Sequence, residues 1–140
     1  MKPSLARFAI ACLASTALTA AAAPLTDVIP PGSRGLCVVV AAGDAATPAL
    51  AAELASRGLL VHGIALDDAA LARARNAVAA AKVDGVASVE KLPLAPLPYR
   101  DNLANFVVVA NAAGCSEEEA LRVLAPNGKL IVRKNGEWKT

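Results

Sequence analysis

Apolar residues gather along the chain into five short runs: "LCVVVA" at 36–41, "LLVHGIA" at 59–65, "VASVE" at 86–90, "LANFVVVANA" at 103–112 and "KLIVRK" at 129–134. The best of them are continuous and rich in β-branched residues, which is the pattern of strands buried on both faces of a parallel sheet. Between the runs lie segments of helical character. "TPALAAELASRG" at 47–58 offers Thr47 as N-cap, Pro48 at the first helical position and Gly58 as the stop. "DDAALARARNAVAAAKV" at 67–83 is capped by Asp67 or Asp68. "SEEEALRVLAPNG" at 116–128 sets Ser116 three residues before Glu119, a capping box, and stops at Pro126, Asn127 and Gly128. "KLPLAPLPYRDN" at 91–102 carries prolines at 93, 96 and 98 and reads as a surface connection without regular structure. This alternation predicts an α/β fold: a three-layer, Rossmann-like parallel sheet in the order 3-2-1-4-5, with right-handed crossovers and strand one central.

The remaining segments set the domain plan. Lys2 and Arg7 flank the start of the uncharged run "FAIACLASTALTAAAA" (8–23), which ends in small residues, so residues 1–23 read as a secretory signal peptide cut near Ala22 or Ala23, with an uncleaved N-terminal anchor as the alternative. The run is shorter and poorer in large side chains than the roughly 20 residues of a spanning helix. The expected location is therefore exported, periplasmic or secreted, with no membrane attachment after cleavage. Residues 24–35, "PLTDVIPPGSRG", form an extended lead-in, residues 36–134 the domain, and residues 135–140 a C-terminal tail.

Composition narrows the function classes. With 56% hydrophobic residues in 140, one packed core is affordable. The net charge of +2 is spread along the chain, which excludes a nucleic-acid footprint. Cys12 lies in the signal segment, Cys37 in a strand and Cys115 in a loop, so no disulfide framework or metal-ligand spacing arises. The single histidine, His62, is read as a structural residue.

In sheets of this kind, ligands bind at the carboxyl ends of the strands where strand order reverses. That crevice would be lined by residues 41–45, 65–67 and 110–115. A glycine turn after the first strand permits positive φ and close approach of a ligand, and an acid ending the second strand accepts ribose hydroxyls. "AAGDAA" at 41–46 fails the G-x-G-x-x-G spacing, which weighs against a nicotinamide dinucleotide site.

Through "VVVAAGDAATPALAAELASRGLLVHGIALDD", "LPYRDNLANFVVV" and "EEEALRVLAPNGKLIV", the chain resembles the class I S-adenosylmethionine (SAM) dependent methyltransferases, type 11, from residue 36 to about 133. It is also similar to the methyltransferase-like part of exported β-propeller repeat proteins, whose "RDGRW"-like ending is mirrored by "KNGEW" here. The resemblance implies SAM as cofactor and places the first-loop glycines on Ala41, Gly43 and Ala45, with Asp44 between them. It places the ribose acid on Ala65, with Asp67 two residues on, and an adenine-side acid at Pro93 or Leu94. Asn111 is the polar side chain best placed after the fourth strand, and no catalytic base is identified. Asp101 and Asn102 read as turn residues, and Glu117 to Glu119 as acids complementing a helix dipole. The family usually adds two strands beyond the fifth, where this pattern stops. Losing one charge-assisted ribose contact costs roughly 1.5–3 kcal/mol, so the implied SAM site is weak. The expected function is a methyltransferase-like domain with depleted cofactor binding. The alternative is a non-catalytic exported module that binds a small molecule or a protein.

Overall fold

The structure is a computed structural model and describes residues 25–111 and 114–140. The signal segment 1–23 and Cys12 lie outside the described residues. Strands β1 (Leu36–Val40), β2 (Leu60–Ile64), β3 (Ala87–Glu90), β4 (Ala104–Val109), β5 (Leu124–Lys134) and β6 (Glu137–Lys139) form one sheet in the order β3-β2-β1-β4-β5-β6. The first five are parallel, in the expected order. β6 pairs antiparallel to β5, so the stretch read as a tail extends the sheet by one strand.

Helices α1 (Leu25–Val28), α2 (Leu50–Ser56), α3 (Asp68–Ala81) and α4 (Glu117–Val123) cover the sheet. Residues α2 and α3 bury, including Leu50, Leu54 and Val78, meet Cys37, Val39, Val61 and Val108 on one face. α4 buries Ala120 and Val123 on the other face, against a cluster with Val38, Val40, Val107 and Val109. Alternation along β1 thus feeds two cores, which is why its sequence is continuously apolar.

Four local expectations are corrected. The lead-in holds α1 and a fully buried Ile29, because these apolar side chains have core surface to cover. α2 starts at Leu50 with Ala49 at the N-cap and no side-chain cap, so Thr47 and Pro48 belong to the preceding turn. α4 ends at Val123, and the chain turns directly into β5. There Leu124 pairs with Ala104, and the register shifts before Lys129 meets Phe106, so Pro126, Asn127 and Gly128 interrupt a strand instead of ending a helix. Residues 91–103 carry no helix or strand, as their prolines require. Leu97, however, is only 2% exposed, and the connection folds onto the α4 face as part of its core.

Candidate functional site

Val40 is the register partner of Ile64 in β2 and of Val109 in β4. Residues 41, 65 and 110 therefore leave the sheet side by side, and backbone bonds hold them there. The Ala42 N–H donates to Ile64 O at 2.8 Å, the Ala110 N–H to Val40 O at 3.0 Å and the Ala65 N–H to Glu90 O at 2.9 Å. The strand ends expected to form the crevice are thus brought together.

At this bend Ala41 takes φ 63°, a left-handed conformation that costs a residue with a Cβ roughly 1–2 kcal/mol. The reversal leaving β1 forces Ala41 into it, while exposed Ala45 shows no positive φ. Gly43, at φ 78°, is buried against α3: a Cβ there would run into the Ala70 carbonyl oxygen and come within 3.1 Å of the Ala74 Cβ. Arg73 Nε donates to the Gly43 carbonyl at 2.8 Å and fastens the turn from the same helix. The surviving glycine thus answers to packing between the turn and α3.

The acids near the crevice are engaged by the protein itself. Asp44 accepts the Ala46 N–H at 3.3 Å and lies 3.9 Å from Arg133 Nη1. Asp67 is the N-cap of α3, its Oδ1 accepting the Ala70 N–H at 2.7 Å. Ala65, where the ribose acid would stand, is 1% exposed and carries no acceptor. Pro93 is exposed, and Leu94 packs on the α4-side core, so neither supplies an adenine-side acid. Asn111 is half-buried one residue past Ala110.

Two polar clusters escaped the sequence reading. In the first, His62 Nδ1 meets the Tyr99 hydroxyl, and Nε2 lies 3.2 Å from Glu90 Oε2. Burial, then the Glu90 charge, pushes the Tyr99 phenol well above its ordinary range, so it stays protonated. The second cluster is centred on Arg122, whose guanidinium donates to Leu97 O at 3.0 Å, Tyr99 O at 2.9 Å, Asp101 Oδ1 at 2.6 Å and Glu119 Oε1 at 2.9 Å. Glu119 in turn accepts the Leu97 N–H at 2.9 Å. Ser116 caps α4 by accepting the Glu119 N–H, but the expected return bond from Glu119 is replaced by this latch. The Glu119–Arg122 spacing of three residues was the available signal.

Burial pushes the Cys37 thiol up to about 12, and burial with the Glu119 charge raises Cys115, so both stay protonated near neutrality. Among the described residues no group of three His, Cys, Asp or Glu side chains could hold a metal, and no helix is long and apolar enough to cross a membrane.

Parallel strands with helices on both faces, a tight turn after the central strand and a crevice at the strand ends define a Rossmann-like α/β domain. Residues 40–132 match the family model described as "Methyltransferase domain", and the chain belongs to that family. Its fold is similar to that of a SAM-dependent methyltransferase of Thiobacillus denitrificans crystallised with S-adenosyl-L-homocysteine, at 17% identity and TM-score 0.64, over 77% of this chain and 45% of that one. A Geobacter sulfurreducens SAM-dependent methyltransferase with the same ligand is similar at 18% identity and TM-score 0.61, over 77% and 44%. One from Aquifex aeolicus is similar at 21% and 0.55, over 70% and 55%. The chain thus spans about half the length of these enzymes. No curated protein matches it by sequence.

Proposed function

We propose that this chain is a methyltransferase-family domain that holds SAM weakly and acts without methyl transfer, as an exported module whose partner is a small molecule or a protein. The observation that carries this reading is the pair Ala65 and Asp67: one offers no acceptor, and the other is committed to capping α3. Two similar structures contain S-adenosyl-L-homocysteine, which makes SAM the cofactor class to test. Bound SAM would supply a sulfonium methyl. The residues at these strand ends do not fit its adenosyl group, and Asp44 beside them is held by Ala46 and Arg133. Export is supported by Lys2 and Arg7 before the uncharged run 8–23.

Calorimetric titration of the chain with SAM and S-adenosyl-L-homocysteine tests the proposal. Dissociation constants weaker than roughly 100 µM are expected. Combining Ala65→Asp with Ala41→Gly and Ala45→Gly should tighten binding at least about tenfold by restoring an acceptor and a relaxed turn. Low-micromolar binding by the wild type would overturn the reading, and an unimproved triple variant would show that the missing acid is not the defect.

A further inference from the structure

A cavity of about 430 Å³ lies between α1, the turn before α2, α2 itself and β6. None of residues 41–45, 65–67 or 110–111 lines it, so it is separate from the strand-end crevice. Its apolar walls include Leu25, Leu50 and the half-buried Trp138, and its polar residues include Thr47, Glu53 and Arg57. The volume is within the roughly 300–1,000 Å³ of small-molecule sites, which combine apolar walls with a few converging polar groups.

Two observations mark the polar side as incomplete. Thr47 Oγ1 and Arg57 Nη1 are sealed from solvent with no hydrogen-bond partner among the described residues. Unmade bonds of this kind are destabilising and rare, and here both fall on residues lining one cavity. In addition, Glu53 on α2 and Arg57, the residue that caps the C-terminal end of α2, share the cavity, yet no ion pair joins them among those the described residues form. Opposite charges left unjoined beside an apolar wall complement a ligand that itself carries both signs.

We propose that this cavity binds a free α-amino acid with an apolar or aromatic side chain. The carboxylate is taken by the Arg57 guanidinium and the Thr47 hydroxyl, each reaching it by a side-chain rotation. The ammonium faces Glu53, and the side chain lies against Trp138 and Leu25.

Trp138 is the only tryptophan, so its emission in the full chain reports on the cavity directly. L-phenylalanine should give a saturable emission change, while 3-phenylpropionate and phenethylamine, each lacking one charge, should bind at least about fivefold more weakly. Arg57→Gln should reduce L-phenylalanine to the affinity of phenethylamine, and Glu53→Gln should reduce it to that of 3-phenylpropionate. Glu53 is exposed, so its variant keeps the test alive if Arg57→Gln fails to fold. No saturable change with L-phenylalanine, or equal binding of all three probes, would overturn the proposal. The SAM titration reads the strand-end crevice, so its outcome does not decide this one.

Discussion

The Asp67 carboxylate accepts the Ala70 N–H at 2.7 Å across the first turn of α3, which gives to the helix an acid that the sequence offers both as a cap and beside the ribose position. The bond satisfies one of the amide groups that every helix start leaves open. Asp67→Ala should therefore cost about 1 kcal/mol of stability in thermal denaturation, while Asp67→Asn, which can still cap, should cost much less. Neither change should alter SAM affinity more than about twofold. A large loss of affinity in both variants would make Asp67 a ligand to the cofactor after all.

Ala41 and Gly43 occupy the same tight turn with opposite requirements. Ala41→Gly relieves a left-handed alanine but adds freedom to the unfolded chain, and the balance should stabilise the fold by roughly 0.5–1 kcal/mol. Gly43→Ala brings a Cβ against the backbone of α3 at Ala70 and should cost roughly 2–3 kcal/mol. Urea denaturation of the two variants checks both signs. A destabilised Ala41→Gly protein would mean that the turn is not strained at this residue.

These turn residues also show what the sequence could reveal. The order of the first five strands was legible, because continuous runs such as "LCVVVA" have no other economical burial than a two-sided parallel sheet. The lack of an acid at Ala65 is visible in the sequence in any conformation. The φ of Ala41 is not, because local preference argues against it and only the packing of the turn on α3 and the neighbouring strand ends imposes it. Glu119 was misread for a similar reason: its spacing from Ser116 suggests a capping box, but Leu97 and Arg122 arrive from outside the helix and compete for its carboxylate. β6 was missed because "EWK" is too short to show a period.

That competition gives the Glu119–Arg122 latch an acid dependence of predictable sign. The hydrogen bond from Arg122, followed by that from the Leu97 N–H, lowers the Glu119 pKa below its ordinary value of 4.5 in the folded protein. A carboxyl whose folded pKa is depressed adds stability that is fully present above the unfolded pKa and is lost as pH falls through the folded one. The connection from Leu97 to Asp101 should therefore loosen from α4 below about pH 4.5, with little change from this group between neutrality and that point. Glu119→Gln can still accept from the Leu97 N–H but carries no charge to lose, so its unfolding midpoint should be lower at neutral pH and fall less steeply in acid. Denaturation midpoints of wild type and Glu119→Gln, measured from neutrality to about pH 3, make the comparison. Parallel acid slopes in the two proteins would show that other carboxylates govern the transition and that the latch adds no pH-dependent stability.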